Sequence, residues 1–392
     1  MILPPAMLGV LGGGQLSRFF VKAAQEMGYR VTVLDPDPDS PAGRIAEVHL
    51  QATYADPLAL RRMAGTCAAV TTAFENVPAE TLAYLATRIR VCPSATRVAT
   101  CQDRSAKKAF LRKHDIPHVP YADIRCEADI DQADNNLFPG ILKVARFDYD
   151  GKGQVCVRNR AQARMAFQRF RFQPCILEKR LPLDLELSVV LARDEAGQVA
   201  CFPAAINHYV DGILDVSLAP ASPDCVAGRN VSRANGIARL VVSALDYIGV
   251  LAIEFFVAKG QLYVNEMVPR PHSSGHYTLD ACMTDQFEQQ VRALCGLPLG
   301  DGRARSAAAT VSLLGELWFS AVDGTQREPD WRMLLGVPNL KLHLYGELEP
   351  KPGRKMGHFT VVGDDPQRVA DIARSLRAAL SIREQAMVTA AS

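Results

Sequence analysis

Two neighbouring apolar segments of the sequence each carry a carboxylate whose position suits metal binding. Glu254 lies within a strongly apolar run, and Glu266 follows Asn265 in the next one. An isolated buried charge costs several kcal/mol, so Glu254 needs a cation. If the short turn at 258–260 joins two antiparallel strands, both carboxylates can lie on one face of the sheet. Two carboxylates and the amide oxygen of Asn265 are oxygen ligands that suit a Mg²⁺ ion bound to phosphates. The alternative is a salt bridge, with Arg270 as the candidate partner.

A glycine-rich loop between two predicted strands has the composition of a phosphate-binding loop. The first strand carries Lys143 among apolar neighbours, and the loop places Gly151 and Gly153 on either side of Lys152. The glycines give flexibility and free backbone amides, and the lysine gives an ammonium group, so the loop can fold over a polyphosphate. A plain hairpin turn is the alternative, but it would not need two acids and a lysine.

A helix predicted over 103–113 begins with a cluster of cations. Asp103 is a suitable N-cap, and Arg104, Lys107 and Lys108 follow in the first turns. Positive side chains oppose the helix dipole at an N-terminus. A phosphate nearby would account for them, and a solvated basic face is the alternative.

The N-terminal segment combines a buried strand, a glycine turn and a helix. Gly12, Gly14 and Ser17 nearly fit the spacing of a dinucleotide-binding turn, and Asp35 ends the second predicted strand. Three interpretations are open at this point: a dinucleotide site, a site for another anion or sugar phosphate, and a structural tight turn.

Helices and strands must hold these candidate residues in place. The hydrophobic periodicity of the sequence predicts both kinds of element and therefore indicates an α/β protein. Glu75 and Asn76 follow the third predicted strand, at the sheet edge where ligands bind, although capping of the next helix explains them equally well. His343 and the apolar face of the last helix fit a core better than a site. The predicted strands cover 7–11, 30–34, 70–72, 140–144, 155–158, 175–178, 184–191, 250–257 and 261–267. The predicted helices cover 15–27, 79–87, 103–113 and 366–380.

Length and composition limit the class of protein. The chain has 392 residues, which suits two or three domains, and 48% hydrophobic against 22% charged residues predicts a fully folded chain. The net charge of +2 lacks the basic excess of nucleic-acid-binding proteins. No apolar run approaches the ~20 residues of a membrane span. Ten cysteines without a Cys-x-x-Cys pair predict reduced thiols, so we expect a cytoplasmic protein that binds neither nucleic acid nor membrane.

Several of these motifs together resemble the ATP-grasp ligases, over about 104–298. The residues that carry the resemblance are Lys143, the loop 150–153, Glu178, Glu254 and 265–266. Within the ATP-grasp ligases, the sequence most closely resembles the 5-(carboxyamino)imidazole ribonucleotide synthase family of purine biosynthesis. Four segments carry this closer resemblance: 9–16, 74–78, 265–276 and 352–358.

The resemblance implies an α/β ATP-grasp fold in three parts. These are an N-terminal Rossmann-like (pre-ATP-grasp) domain over 1–103, an ATP-grasp domain over 104–298 with a lid over roughly 116–178, and a small C-terminal α+β domain over 299–392. The resemblance also implies a homodimer. The glycine turn of the first domain would then serve the nucleotide substrate and not a dinucleotide.

The activity that the resemblance implies is ATP-dependent carbon–nitrogen ligation with formation of ADP. Bicarbonate attacks the γ-phosphate of ATP to give carboxyphosphate, and the carboxyl unit, released as CO2, is captured by the amine of 5-aminoimidazole ribonucleotide. Mg²⁺ neutralises charge during this phosphoryl transfer.

Two other classes of protein stay open. A different ATP-grasp enzyme, such as a formate-using or amino-acid ligase, would not need the stretch from Arg270 to His276. A non-catalytic nucleotide-binding protein would not need both Glu254 and Glu266. The presence of both carboxylates favours catalysis.

The resemblance assigns roles to residues of this sequence. The ATP-binding residues would be Arg104, Lys143, Tyr149, Asp150, Gly151, Lys152, Gly153, Gln154, Glu178, Lys179, Arg180, Leu181, Glu186, Asn265 and Glu266. The metal ligands would be Glu254, Asn265 and Glu266. The residues of catalysis and of the bicarbonate pocket would be Lys152, Arg270, His272, Ser274 and Gly275. The residues around the ribonucleotide would be Gln15, Glu75, Tyr149, Arg354 and Lys355.

Three positions depart from the family pattern. Phe147–Asp148 stands where glycine or serine is usual, Tyr209 where a histidine is usual, and Glu347 where a lysine is common. A glutamate near a substrate phosphate is unfavourable unless Lys351 or Arg354 compensates for its charge. These departures bear on ribonucleotide binding more than on ATP chemistry.

Overall fold

Three β-sheets organise the chain in this computed structural model, which describes residues 1–146, 153–221, 227–320 and 324–389. The first sheet is parallel, and the other two are antiparallel. Helices pack on the sheets, and this arrangement confirms the predicted α/β class.

The N-terminal sheet consists of five parallel strands. Its elements are β1 (Met7–Leu11), α1 (Gln15–Glu26), β2 (Arg30–Leu34), β3 (Val48–Leu50), α2 (Pro57–Thr66), β4 (Ala69–Thr72), α3 (Ala79–Ala86) and β5 (Arg90–Val91). The strand order is β3-β2-β1-β4-β5. Val10, Val33 and Val70 are fully buried because helices cover both faces of the sheet, as parallel sheets require.

A second, four-stranded sheet is antiparallel. The elements of this region are α4 (Ala95–Gln102), α5 (Arg104–Lys113), β6 (Tyr121–Ile124), α6 (Glu127–Gln132), β7 (Gly140–Val144), β8 (Gln154–Val157), α7 (Arg160–Arg169) and β9 (Cys175–Lys179). The strand order is β6-β9-β7-β8. The Asp103 side chain accepts a hydrogen bond from Ala106 N–H, which confirms the predicted N-cap of α5. The predicted pairing of β7 with β8 is also confirmed, whereas the loop 147–152 lies outside the described residues.

The largest sheet runs from the middle of the chain to its C-terminal part. The elements here are β10 (Leu185–Arg193), β11 (Val199–Cys201), β12 (Ala205–Val210), β13 (Ile213–Ala219), α8 (Ala227–Ala244), β14 (Gly249–Ala258), β15 (Gln261–Val268), α9 (Thr278–Ala281), α10 (Gln286–Cys295), β16 (Ala307–Leu314), α11 (Arg332–Leu335), β17 (Leu340–Leu344), β18 (Lys355–Gly363) and α12 (Pro366–Thr389). The strand order is β15-β14-β10-β12-β13-β16-β18-β17, with β11 paired to β10.

Two features of this sheet differ from the sequence prediction. Because β13 pairs with β16, the C-terminal strands extend the same sheet as the ATP-grasp strands. The last helix continues to Thr389, beyond the predicted end at Leu380. The first difference follows from long-range strand pairing, which local periodicity does not report.

The nine cysteines in the described ranges are all free thiols, as predicted. Six of them are buried, among them Cys67 and Cys295, and such thiols pack as small apolar residues. Within the same ranges, no helix combines the length and the apolar character of a membrane span.

Helix α10 connects the first and the largest sheet by hydrogen bonds. Gln290 is buried in this helix, and its Oε1 accepts from Val250 N–H at 2.6 Å. Its Nε2 donates to Thr71 Oγ1 at 2.7 Å. Val250 belongs to β14 and Thr71 to β4, so one side chain ties the two sheets together.

Replacing Gln290 by leucine should lower the free energy of unfolding by about 2 kcal/mol, because the Val250 N–H group stays buried without an acceptor. Urea denaturation measures this loss. Gln168→Leu on the exposed side of α7 is the matched control, and it should change stability by less than ~0.5 kcal/mol. Equal losses in the two variants would contradict the connecting role of Gln290.

Candidate active site

Glu254 and Glu266 lie directly opposite each other on antiparallel strands. The pairing register of β14 and β15 joins the two residues, and a β-bulge follows between Glu254 and Phe255. Opposite residues of antiparallel strands point to the same face, so the predicted arrangement of the two carboxylates is confirmed. Two carboxylates this close disfavour each other's ionisation unless the surroundings compensate.

Neutral donors surround the carboxylate of Glu254. Tyr209 donates its hydroxyl to Oε1 at 2.6 Å, and Asn265 Nδ2 donates to Oε2 at 3.3 Å. His272 Nε2 lies 3.7 Å from Oε1. Burial raises the pKa of Glu254, and the charge of Glu266 raises it further. Tyr209, one of the departures from the family pattern, thus supplies a hydrogen bond to the site.

Cations surround the carboxylate of Glu266. Lys107 Nζ donates to Oε1 at 2.6 Å, and Arg104 Nη1 lies 3.8 Å from the same oxygen. Burial alone would raise the pKa of Glu266, but the charges of Lys107 and Arg104 outweigh it and hold the pKa well below its usual value. The two opposed carboxylates therefore have different environments, and Glu254 is the weaker acid.

A third buried carboxylate, Glu178, binds two lysines. Lys108 Nζ and Lys143 Nζ each lie 2.5 Å from one of its oxygens. Burial alone would raise the pKa of Glu178, but the two ammonium groups lower it to about 2. Burial also lowers the pKa of Lys108, and the ion pair with Glu178 offsets this shift only in part.

The predicted alternative of a solvated basic face at the start of α5 is wrong. Lys107 and Lys108 are both buried, and each contacts a different carboxylate, Glu266 and Glu178. The sequence pattern contains the cations, but their burial arises only when α5 docks against the two antiparallel sheets.

Arg270 connects segments that lie far apart in the sequence. Its Nη2 donates to Glu75 Oε2 at 2.9 Å, and its Nη1 donates to the Pro271 carbonyl at 3.0 Å. Its Nε is buried and has no hydrogen-bond partner among the described residues. The predicted alternative of a salt bridge from Arg270 to Glu254 is wrong, because Glu75 binds the guanidinium.

The loop after β15 determines the tautomer of His272. Ser274 N–H donates to Nδ1 at 3.3 Å, and Ser274 Oγ lies 2.8 Å from the same nitrogen. Burial and the charges of Arg270 and Lys355 lower the pKa of His272 to about 3, so the ring is neutral. Because Nδ1 accepts a hydrogen bond, the proton lies on Nε2, which is the nitrogen nearer to Glu254.

The side chain of Gln286 holds this loop in place. Its Oε1 accepts from His272 N–H and its Nε2 donates to the His272 carbonyl, both at 2.8 Å. A Cβ on Gly275 would come 2.7 Å from the same Oε1, so a larger residue there would displace this amide. Sequence reasoning missed Gln286, because nothing in its local pattern distinguishes it from the other glutamines of α10.

Arg354 pairs with Glu347, which is another departure from the family pattern. The two side chains form an ion pair, and Arg354 Nη1 also donates to the Glu349 carbonyl at 3.1 Å. Burial raises the pKa of Glu347, and the charge of Arg354 opposes this shift. Of the two expected compensating cations, Arg354 takes this role, whereas Lys351 pairs with Glu349 at 3.2 Å.

The C-terminal strands reach both the first sheet and the loop after β15. Lys355 Nζ donates to Ser273 Oγ at 3.2 Å. Arg44, from a loop of the first sheet, donates to the Gly346 carbonyl. Lys355, which the resemblance assigns to the ribonucleotide, therefore lies beside the loop after β15.

The glycine turn after β1 is tied to Asp35. Gly13 N–H and the Tyr54 hydroxyl both donate to Asp35 Oδ2 at 2.6 Å, and Asp37 N–H donates to Oδ1 at 2.9 Å. A Cβ on Gly13 would come 2.4 Å from the Cβ of Ser40. These three hydrogen bonds give Asp35 a structural role in the glycine turn.

The remaining predicted site residues make fewer contacts with the side chains described above. Gln15 begins α1, and its Oε1 is buried without a hydrogen-bond partner in the described part of the chain. Burial and the charge of Glu254 raise the pKa of Glu186 to about 7. Of the three consecutive residues predicted to bind ATP, Lys179 is the last residue of β9, and Arg180 and Leu181 follow this strand. The predicted residues outside the described ranges are Tyr149, Asp150, Gly151 and Lys152, together with the departure Phe147–Asp148.

The groups around the opposed carboxylates fit Mg²⁺ in chemical type. Glu254, Glu266 and the side-chain amide of Asn265 offer the oxygen ligands that this ion prefers. In the described ranges, no lysine or arginine forms an ion pair with Glu254. A metal ion would add positive charge beside Glu254, where Lys355 acts only without an ion pair.

Three family models match successive segments of the chain. An ATP-grasp domain matches residues 109–287, and a ribonucleotide synthetase preATP-grasp domain matches 6–102. A phosphoribosylaminoimidazole carboxylase C-terminal domain matches 308–372. The three segments follow one another without overlap.

Relatives and solved structures match over nearly the whole chain. An N5-carboxyaminoimidazole ribonucleotide synthase from Bacillus subtilis is 37% identical over 362 residues, which cover 92% of each chain. An ADP complex of an N5-carboxyaminoimidazole ribonucleotide synthetase has 35% identity and a TM-score of 0.89, and covers 98% of this chain and 99% of that one. The Aspergillus clavatus enzyme, solved with ADP and 5-aminoimidazole ribonucleotide, has 27% identity and a TM-score of 0.86, with 96% and 98% covered.

The segment with ATP-grasp similarity contains the two opposed carboxylates, and the buried lysines lie in it or directly before it. This segment therefore defines the class of protein. The chain is an ATP-dependent ligase that forms ADP. The similarity to the Bacillus subtilis enzyme extends through all three segments. The chain therefore belongs to the N5-carboxyaminoimidazole ribonucleotide synthase family.

Replacing Glu178 by glutamine should lower the free energy of unfolding at pH 7 by about 3 kcal/mol, because it leaves two buried lysines without a counter-charge. Folding lowers the pKa of this carboxyl to about 2, so its contribution is present above the ordinary pKa of about 4 and is lost as the pH falls toward 2. The stability difference between wild type and variant should shrink over that interval. Urea denaturation at several pH values measures it.

The matched control for Glu178 is Glu80→Gln on the exposed side of α3, which should change stability by less than ~0.5 kcal/mol. A loss for Glu178→Gln as small as that of the control would contradict the buried ion pair. So would a stability difference that does not depend on pH in the acid range.

Replacing Gln286 by methionine should lower kcat for ATP turnover at least about tenfold, because the loop with His272 loses the amide that positions it. Gln289→Met is the matched control: Gln289 is buried in the same helix and binds the backbone of Gly300 in the same two-pronged manner. Both variants should lose about 2 kcal/mol of stability, but only Gln286→Met should lose turnover. Equal loss of turnover would argue against a positioning role for Gln286.

Proposed function

We propose that the chain uses ATP and bicarbonate to carboxylate the amine of 5-aminoimidazole ribonucleotide, by way of carboxyphosphate. The observation that carries the proposal is the ion pair between Arg270 and Glu75 at 2.9 Å. It joins the loop expected to bind bicarbonate to the sheet edge expected to bind the ribonucleotide. His272 of the same loop lies 3.7 Å from Glu254, so the three reactants would meet in one place. The relatives' names and the complex solved with ADP and the ribonucleotide support this reaction.

ATP would bind between the four-stranded sheet and the largest sheet. Lys108 and Lys143 are held there by Glu178, while Arg104 and Lys107 lie beside Glu266. Arg104 and Lys143 would contact the phosphates, whereas the buried Lys107 and Lys108 would hold Glu266 and Glu178 in place. The further residues proposed for ATP are Tyr149, Asp150, Gly151, Lys152, Gly153, Gln154, Lys179, Arg180, Leu181, Glu186 and Asn265.

We propose Mg²⁺ as the metal ion, held by Glu254, Asn265 and Glu266. When bound, this ion supplies positive charge to the phosphate oxygens of ATP. Support comes from the oxygen ligands on one face of the two strands and from the lack of a lysine or arginine ion pair to Glu254 in the described ranges.

Arg270 and the neutral ring of His272 would orient bicarbonate, with Ser274 and Gly275 shaping the loop. The guanidinium binds a planar carboxylate through two N–H groups, and His272 donates from Nε2. A bicarbonate oxygen bonds to the γ-phosphorus of ATP while the bond to the bridging oxygen breaks, and ADP leaves with that electron pair. Carboxyphosphate releases phosphate and CO2. The amine nitrogen then bonds to the carbon of CO2 and loses a proton.

The ribonucleotide would lie between the first sheet and the C-terminal strands. Glu75 is oriented there by Arg270, and Lys355 is linked to the bicarbonate loop through Ser273. Arg354 would bind the phosphate while Glu347 keeps its guanidinium in place. The further contacts proposed for the ribonucleotide are Gln15 and Tyr149.

The domain boundaries and the assembly are proposals as well. We propose domains over 1–103, 104–298 and 299–392, with the lid over 116–178. The three matched family segments lie inside these boundaries and support them. A homodimer and a cytoplasmic location are proposed from the family resemblance.

The test of the proposed function is ADP release by the full-length protein with ATP, Mg²⁺ and bicarbonate, with and without 5-aminoimidazole ribonucleotide. We expect strong stimulation by the ribonucleotide, and we expect it to disappear when bicarbonate is removed. If ATP binds but the ribonucleotide has no effect, the acceptor is a different amine or an acid, and the proposal is wrong.

Glu266→Gln should keep the fold but lower ATP turnover at least about 100-fold, because it removes a proposed metal ligand. The Glu266 side chain is 24% exposed, whereas that of Glu178 is 4% exposed, so we expect the fold to depend less on Glu266. Circular dichroism checks the fold, and ADP release checks turnover. Wild-type turnover in Glu266→Gln, with Glu80→Gln as the control, would remove Glu266 from the metal site.

A further inference from the structure

Three side chains outside the proposed site combine the ligand types of a transition-metal site. His343 on β17 and His358 on β18 are opposite each other in the antiparallel register, so both rings lie on one face. Asp280 of α9 lies against them, with His343 Nε2 2.9 Å from Asp280 Oδ2. One ligand atom from each of the three side chains lies within 4.8 Å of the other two. His343, which the sequence assigns to a core, is half-buried in this cluster.

The ring of His358 is oriented by one nitrogen and leaves the other one unpaired. Nδ1 lies 2.8 Å from the Tyr345 hydroxyl, whereas Nε2 is buried and has no hydrogen-bond partner among the described residues. A hydrogen bond on the second nitrogen is the contact that typically orients a metal-bound histidine.

The neighbouring His276 adds to the unpaired nitrogens of this region. Its ring stacks on His358, with 4.5 Å between centroids and 9° between planes. Neither of its nitrogens has a hydrogen-bond partner in the described part of the chain. A buried polar atom without a partner costs about 1–3 kcal/mol, and in a native structure it points to a bound water or ion.

We propose that Asp280, His343 and His358 bind one divalent transition-metal ion of the Zn²⁺ class, with water as the fourth ligand. Two imidazoles and one carboxylate suit Zn²⁺, whereas Mg²⁺ prefers oxygen ligands alone. With metal–ligand distances of about 2.0 Å, tetrahedral ligand atoms are about 3.3 Å apart. The ligand atoms, which lie within 4.8 Å of one another, must therefore move closer together when an ion binds. His343 is 21% exposed, which leaves a path for the ion.

The bound ion would connect α9 to the C-terminal strands. Helix α9 follows the loop that carries His272 and Ser274, and β18 begins with Lys355. The ion would therefore be structural and would hold these two segments of the proposed active site together. The inference does not depend on the proposed reaction, because it rests on the ligand cluster alone.

The test uses the full-length protein, stripped of metal with a chelator and then titrated with Zn²⁺ or Co²⁺ in excess Mg²⁺, which occupies oxygen sites. We expect one Zn²⁺ per chain. We also expect the visible absorption of tetrahedral Co²⁺ without the near-ultraviolet charge-transfer band of thiolate ligands. The absence of that band excludes binding by exposed cysteines such as Cys126 and Cys156.

His343→Ala and Asp280→Asn should each weaken Zn²⁺ binding at least about tenfold, since each removes a ligand. Asp280→Asn preserves the side-chain shape, so a folding defect in His343→Ala would not decide the result. His208→Ala, on the exposed side of β12, is the control and should bind Zn²⁺ as the wild type does. Absence of stoichiometric Zn²⁺, a thiolate band, or unchanged affinity in both ligand variants would overturn the proposal and leave Asp280 and His343 as a simple ion pair.

Discussion

Two carboxylates face each other across neighbouring strands, and the rest of the site depends on how their charges are satisfied. Glu266 is bound by Lys107 and lies near Arg104, whereas Glu254 is bound by the hydroxyl of Tyr209 and the amide of Asn265. Both carboxylates could not be ionised side by side without such help. The pair is therefore asymmetric, with cations beside Glu266 and neutral hydrogen-bond donors beside Glu254. This asymmetry suits a place where a metal ion and nucleotide phosphates meet.

Long-range packing creates this environment. Helix α5 places Lys107 against Glu266 of the largest sheet and Lys108 against Glu178 of the four-stranded sheet. Helix α10 holds the loop after β15 through Gln286 and also ties β4 to β14. The C-terminal strands extend the largest sheet and approach the same loop. Elements from all three sheets thus position a few polar groups at one place.

Local features of this fold can be predicted from the sequence, but the partners of its charges cannot. Apolar runs predict β14 and β15 and the shared face of their carboxylates, and Asp103 predicts the N-cap of α5. In contrast, Arg270 pairs with Glu75, which is 195 residues away, and no local pattern indicates this contact. The burial of Lys107 and Lys108 likewise depends on how α5 docks between sheets. The roles of the residues at 149–152 stay predictions, because these residues lie outside the described ranges.

Binding of Mn²⁺ in the presence of ADP tests most directly whether the opposed carboxylates form the metal–nucleotide centre. Mn²⁺ binds to the same oxygen ligands as Mg²⁺ and is observable by electron paramagnetic resonance. The wild type should bind Mn²⁺ with ADP, Glu254→Gln should weaken this binding at least about tenfold, and the exposed control Glu80→Gln should leave it unchanged. Equal Mn²⁺ affinity in wild type and Glu254→Gln would contradict the account.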